Sequence, residues 1–231
     1  MYYGLGTHWL FLIGLPLIIA LWAQFRVSSA FRRWGAVRAT SNITGAEAAR
    51  EILQAAQIHD VEVVETNDYL GDHYDPTKKR LCLSTNVYNT PSVAALGIAA
   101  HETGHAIQHA KAYAPLQARM AVVPVTQLVS QALPFIIFGG LFLHLLPWAF
   151  AINLGIICYL VITIFQLITL PVEFDASRRA KIIVQQMGIV QPGEETVGVN
   201  KVLNAAALTY VAALIAAIGN LLYLMSFRDR R

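Results

Sequence analysis

Three stretches of the chain contain no Asp, Glu, Lys or Arg: Met1–Phe25, Met120–Val172 and Val202–Phe227, of 25, 53 and 26 residues. A helix rises about 1.5 Å per residue and the hydrocarbon core of a bilayer is about 30 Å thick, so about 20 apolar residues make one crossing. The first run supplies a span at 7–25. The middle run is too long for one crossing and fits two, 123–145 and 148–170, with a turn near His144–Trp148. There Pro147 breaks a helix and Trp148 suits the membrane interface. The last run gives a fourth span at 205–227. Four crossings are expected, or three if the middle pair is re-entrant. The first span reads as a retained anchor, because Met1–Thr7 has no basic residue and the apolar stretch is longer than a signal core.

Two polar segments remain, 26–119 and 171–201. In the first, Thr44-Gly45-Ala46-Glu47 is a capping box and predicts an amphipathic helix to about Gln57. Val61–Glu65 is rich in β-branched residues and predicts a short strand. Asp75-Pro76-Thr77-Lys78 signals a turn between Asp72-His73-Tyr74 and Arg80-Leu81-Cys82-Leu83-Ser84. In the latter, Leu81 and Leu83 share one face and Arg80, Cys82 and Ser84 the other. A hairpin with one open edge is expected, and Arg80–Ser84 is the edge on which an extended substrate chain would add. Thr90-Pro91 predicts the cap and first position of a helix running to about Ala110.

Composition agrees with this division. The 231 residues are 56% hydrophobic and 13% charged, with a mean hydropathy of +0.50. Soluble domains run near 25% charged. The 127 residues outside the three runs hold all 31 charges, an ordinary soluble density, so a wholly water-soluble globule is excluded. Fourteen of the 17 basic residues lie in the two polar segments; the others are Arg228, Arg230 and Arg231. An even number of crossings puts both segments on one side, and the positive-inside rule makes that side cytoplasmic. The net charge of +3 then follows from topology and requires no nucleic-acid partner. The two cysteines, Cys82 and Cys158, make neither a disulfide framework nor a cysteine zinc site.

Within the helix after Pro91 stands His101-Glu102-Thr103-Gly104-His105, the pattern H-E-x-x-H. At about 100° per residue the two histidines lie about 40° apart and one turn displaced, so both imidazoles can reach one ion. Glu102, on the flank of that face, is placed to take a proton from an activated water without joining the ligands. With seven His and eight Glu in the chain, a chance match arises in roughly one per cent of such sequences. A catalytic zinc needs a third protein ligand and an open position. His109 shares the helix, and three ligands on one straight helix cannot converge tetrahedrally. His73 lies on the hairpin; His8 and His144 belong to the spans. Glu173 is the better candidate, as the first charge after 53 uncharged residues, with Asp175 as the alternative. His109, Arg178 and Arg179 are candidate transition-state donors, and His73 and Tyr74 candidate cleft residues.

Four blocks carry a resemblance: Gly71-Asp72-His73-Tyr74-Asp75-Pro76, the helix Ala99–Gln108, Tyr113-Ala114-Pro115-Leu116, and Glu173-Phe174-Asp175-Ala176-Ser177. They resemble the YugP-like family of zinc membrane metallopeptidases and, more remotely, the HtpX-type and prenyl-protein (CAAX) membrane proteases. The resemblance implies His101, His105 and Glu173 as ligands of one Zn2+ and Glu102 as the base. The remote relatives place an Asp four residues after the ligand Glu, where this chain has Ser177, so Asp175 or Ser177 would support the site. The expectation is a mainly α membrane protein of about four transmembrane helices with a cytoplasmic α+β zincin-like catalytic domain. It would sit as an integral, multi-pass protein in a prokaryotic cell membrane and hydrolyse peptide bonds of membrane-associated proteins. The competing expectation is a non-catalytic membrane scaffold with a structural or inactive zinc site.

Overall fold

A computed structural model describes residues 8–67, 71–143 and 145–228. Thr7, His144, Arg230 and Arg231 lie outside the described residues. In chain order, a π-helical turn Leu10–Gly14 leads into α1 (Leu15–Gly35), followed by α2 (Gly45–Ala55), β1 (Glu62–Thr66), β2 (His73–Asp75), β3 (Arg80–Ser84) and α3 (Thr85–Tyr88). Then come α4 (Val93–Ala110), α5 (Ala114–Ile137) with a π-helical turn Phe138–Phe142, α6 (Trp148–Gln186) and α7 (Glu194–Arg228). The protein is mainly helical. Four helices are long and apolar enough to cross a membrane: Leu10–Gly35, Ala114–Gly140, Trp148–Gln186 and Glu194–Arg228, with mean hydropathies of 1.9, 1.7, 2.2 and 2.0.

The chain forms two compact units. One comprises the described parts of Met1–Ala23, Gln117–Leu170 and Thr209–Arg231. It is built of apolar helices that approach one another at small residues, as Gly140 does against Ala151. The other comprises Gln24–Leu116 and Pro171–Leu208 and contains the sheet and the histidine helix. Its core gathers Trp34 of α1, Ile52 of α2, Leu96 of α4, Val184 of α6 and Leu203 of α7. Burying this much aliphatic surface, at about 25 cal/mol per Å2, is what holds the helix carrying the histidines in place.

Local chemistry explains the helix ends. Thr44 and Glu47 form the reciprocal capping box, and α2 stops at Ala55, short of the expected Gln57. The start of α4 differs from expectation. Ser92, not Thr90, caps it, its hydroxyl accepting from the Ala95 N–H at 3.2 Å. Pro91 stays extended because its carbonyl accepts from the Ala39 N–H and Ser92 bridges Arg38.

The segment 171–201 is not one helix. Pro171 and Glu173 lie inside the 39-residue α6, and the helix ends only at Gln186. Gly188 (φ 67°) and Gly193 (φ 104°) then adopt backbone conformations open to glycine, and α7 begins at Glu194.

The sheet corrects a further expectation. Its order is β1-β3-β2, with β3 parallel to β1 and antiparallel to β2. The strand Arg80-Leu81-Cys82-Leu83-Ser84 is therefore central and not an edge. Where β2 runs out, the Asp72 carboxylate accepts from the Ser84 N–H at 2.7 Å, taking the donor that an added strand would need. The reason lies in burial. Leu81 and Leu83 are fully buried against Ala95 and Ala99 of α4, and a strand so anchored gains from neighbours on both sides.

Candidate metal centre

The helix α4 is apolar along Val93–Ala100 and carries the polar motif in its second half, so folding buries the motif with it. Glu102 and His105 are each 8% exposed, and Glu173 on α6 is 2% exposed. What brings α4 to α6 is the glycine of the motif. A Cβ on Gly104 would stand 2.9 Å from the Ala176 carbonyl oxygen, closer than real Cβ atoms approach. Only glycine allows the α6 backbone to pass at that distance. Ala176 and Ala180, both fully buried, keep the facing side of α6 equally slim.

At that crossing the Glu173 Oε2 lies 3.2 Å from His101 Nε2 and 3.5 Å from His105 Nε2. The outward nitrogens are engaged elsewhere. His101 Nδ1 lies 3.1 Å from Ser177 Oγ. His105 Nδ1 lies 3.0 Å from Gln108 Oε1. The Gln108 amide nitrogen donates to the Val172 carbonyl at 2.8 Å and to Asp175 Oδ2 at 3.0 Å. That fixes the amide, so its oxygen accepts and His105 Nδ1 carries a proton, which leaves Nε2 as the nitrogen that faces Glu173 and is available to an ion.

Electrostatics follows the same geometry. Burial opposes ionisation of Glu173, but its bonds to His101 and His105 outweigh that and hold the carboxyl far below the usual range. Burial likewise opposes a charged His105, yet the Glu173 carboxylate raises it. Glu102 moves the other way. Burial pushes its carboxyl up, the histidines pull against that, and Glu173 and Asp72 add to the rise. Asp72 is itself raised by burial, with bonds from the Ser84 N–H and hydroxyl opposing.

A model of the family described as "Putative neutral zinc metallopeptidase" matches residues 9–229. The chain belongs to this family. It is 45% identical over 223 residues to "Putative membrane protease YugP" of Bacillus subtilis (strain 168), covering 96% of this chain and 97% of the relative. No solved structure matches it.

The residues present fit the zinc that the family's description implies. Around one tetrahedral ion with bonds near 2.0–2.1 Å, donor atoms stand about 3.4 Å apart. The two His–Glu separations, 3.2 and 3.5 Å, bracket that value, and one donor atom from each of the three residues lies within 4.8 Å of the others. Two imidazoles and a carboxylate also suit a catalytic site with one position left open.

Other candidates fall elsewhere. Asp175 is not in the converging trio; burial would raise its carboxyl, but bonds from Arg179, Gln108 and Arg178 hold it low. It reaches His105 only through Gln108. Ser177 touches His101 directly. Arg178 pairs with Asp175 and its side chain is 65% exposed. Arg179 also binds Asp175 and lies over the Tyr113 ring, 5.8 Å from its centroid. His109 Nδ1 lies 2.8 Å from the Tyr74 hydroxyl, and burial pushes that phenol up to about 12, so the hydroxyl stays neutral. His73 is held by the Gly71 carbonyl at 3.1 Å.

Sequence reasoning missed Gln108, which is fully buried. Its signal was present: a glutamine three residues after His105 shares a face with it, and a buried amide needs partners.

Proposed function

We propose that the chain is a zinc-dependent metalloendopeptidase of the membrane, cleaving membrane or membrane-associated proteins at the cytoplasmic surface. The observation that carries this reading is the convergence of His101 Nε2, His105 Nε2 and Glu173 Oε2 on one point with Glu102 beside it. His101, His105 and Glu173 would hold one zinc per chain. When bound, the zinc supplies Lewis-acid polarisation of the scissile carbonyl and acidifies the attacking water.

The rest is the work of the chain. Glu102 accepts the proton of the attacking water and delivers it to the leaving amine. A buried carboxyl with raised proton affinity suits both transfers better than an ordinary glutamate, because it takes the proton readily at neutral pH and still returns it. Among the described residues none hydrogen-bonds the Glu102 carboxylate, so it stays free for this exchange. Gln108 and Ser177 orient the imidazoles, and burial under α6 limits bulk water.

The four apolar helices support membrane embedding, and the bias of 14 of 17 basic residues to the two polar segments supports a cytoplasmic site. Substrates are then polypeptides reached from the cytoplasm or the inner leaflet.

The test compares wild type with Glu102→Gln, full-length and zinc-loaded, for cleavage of an unfolded membrane protein. Wild type should cleave, and the variant should be slower by about 100-fold or more, the lower range for a lost general base. Equal cleavage by both would sink the mechanism. No cleavage by wild type across varied substrates would favour a scaffold.

A further inference from the structure

Helix α5 carries polar residues that its own fold does not use. Gln127, Ser130 and Gln131 stand at i, i+3 and i+4 near the middle of the apolar helix Ala114–Gly140, and all three are exposed. Pro124 and Pro134 extend the same stripe at each end and are exposed as well. Of the most apolar window of this helix only 6% is buried, against 28% and 33% for α6 and α7. The residues of that window are otherwise exposed or half-buried in the single chain.

Several polar side chains in the apolar helices bond to their own backbone, whereas the buried Thr169 hydroxyl of α6 has no partner among the described residues. Thr126 donates to the Val122 carbonyl at 2.9 Å, Thr163 to Tyr159 at 2.7 Å, and Asn220 to Ala216 at 2.8 Å. Gln127, Ser130 and Gln131 make no such bond to a described residue. Pro134 also lacks the N–H that would bond the Ser130 carbonyl in a regular helix, which leaves a backbone acceptor on the same stripe.

In water this would mean little. Gln131 lies eleven residues into the charge-free run that begins at Met120, about 16 Å along a helix and so near the middle of a 30 Å hydrocarbon core. Lipid tails offer a primary amide no partner, and leaving it unbonded there is expensive.

We propose that Gln127, Ser130 and Gln131 form a self-association face, at which α5 pairs with α5 of a second copy of this chain. The chemistry selects the occupant. A carboxamide is donor and acceptor at once, so it bonds its own image across a two-fold axis, which a charged side chain cannot do. An axis along the membrane normal keeps both copies in one topology. The stripe is uncharged, so like meets like without repulsion. The inference rests on α5 crossing the bilayer.

The test uses full-length protein in lipid bilayers at graded protein density, with oligomeric state read by single-molecule photobleaching. Wild type should dimerise. The double variant Gln127→Leu/Gln131→Leu should associate at least about tenfold more weakly, since interhelical polar contacts contribute about 3- to 20-fold each. Leucine is at home in lipid, so an unchanged unfolding midpoint separates lost pairing from lost folding. Asparagine at both positions keeps the amides and should retain the dimer.

In a Cys82→Ser/Cys158→Ala background, Gln131→Cys should cross-link between copies and Val129→Cys, on the opposite face, should not. A monomeric wild type, an undiminished dimer in the leucine variant, or equal cross-linking from both positions would overturn the proposal. So would a monomer that captures a foreign transmembrane helix through these glutamines. Labelling of Gln131→Cys by a charged, water-soluble maleimide would overturn the crossing itself, a distinct failure.

Discussion

The two histidines of α4 sit one turn apart and face the same carboxylate, yet they are held by different means. His101 leans on a single hydroxyl that comes from the other helix, Ser177 of α6. His105 leans on an amide of its own helix, and that amide in turn grips α6 twice, at the Val172 carbonyl and at Asp175. One end of the site is oriented by a small group free to rotate. The other is oriented by a buried network in which each bond fixes the next. Both ends depend on the same close crossing at Gly104, so the asymmetry concerns how firmly each ring is aimed and not whether it reaches Glu173.

The largest loss should follow Glu173→Ala, because both ends converge on that carboxylate. Zinc affinity, measured by competition with a chelator, should fall by more than the 10- to 100-fold expected for an outer partner. Retained stoichiometric zinc at ordinary affinity would remove Glu173 from the trio.

Gln108→Leu comes next and breaks the His105 end alone. It strands the His105 Nδ1–H and removes one further bond each from the Val172 carbonyl and from Asp175, all in the interior. Zinc affinity should drop about 10- to 100-fold. The metal-free protein should also lose about 1–3 kcal/mol in thermal unfolding, the cost of unpaired buried polar groups. Unchanged affinity with lowered stability would make Gln108 a strut between helices and nothing more.

Ser177→Ala should cost less, about tenfold or below in zinc affinity, with little change in stability, because one hydroxyl contact is lost. Ser177→Asp sharpens the comparison. A carboxylate accepting from His101 Nδ1–H makes a stronger, charge-assisted bond, so affinity should rise above wild type. Equal effects of the Gln108 and Ser177 substitutions would erase the asymmetry.

Much of this was legible in the sequence, and the illegible part has a physical reason. Charge-free runs located the apolar helices because hydrocarbon excludes charge irrespective of tertiary detail. The H-E-x-x-H pair was legible because both residues sit on one helix, where spacing alone fixes geometry. Glu173 was legible only as a position, the first charge after Val172; its distance from the histidines depends on Gly104 meeting Ala176, a contact between residues 72 apart. Strand order was misread because a turn signal at Asp75–Lys78 reports a hairpin but is silent about β1, which pairs on the other side of β3. Pro171 was ambiguous for a similar reason. In a helix with packed neighbours, surrounding contacts can keep the chain helical through a proline that would end a lone helix.

The smallest expected effect on the metal lies at Glu195, which has the same kind of buried, hydrogen-bonded carboxylate but no role at the trio. It accepts from the Thr40 N–H at 2.7 Å, from the Thr40 hydroxyl and from the Gln191 N–H at 2.8 Å, tying the turn after α1 to the start of α7. Burial would raise its carboxyl, but these bonds from Thr40 and Gln191 prevail and hold it below the usual range. A depressed carboxyl stabilises the folded state above the ordinary glutamate range, near 4.3, and that contribution is lost as pH falls through the lower folded value. Glu195→Gln should therefore cost about 1.5–3 kcal/mol at neutral pH, as charged hydrogen bonds do. Its deficit against wild type should shrink in acid, followed by thermal unfolding of the chelated protein between pH 7 and 3. Zinc affinity at pH 7 should not move. A deficit that stays constant with pH would mean that the carboxylate charge contributes nothing there. A fall in zinc affinity would instead join the loop at Thr40 to the metal centre and widen the region on which the two histidines depend.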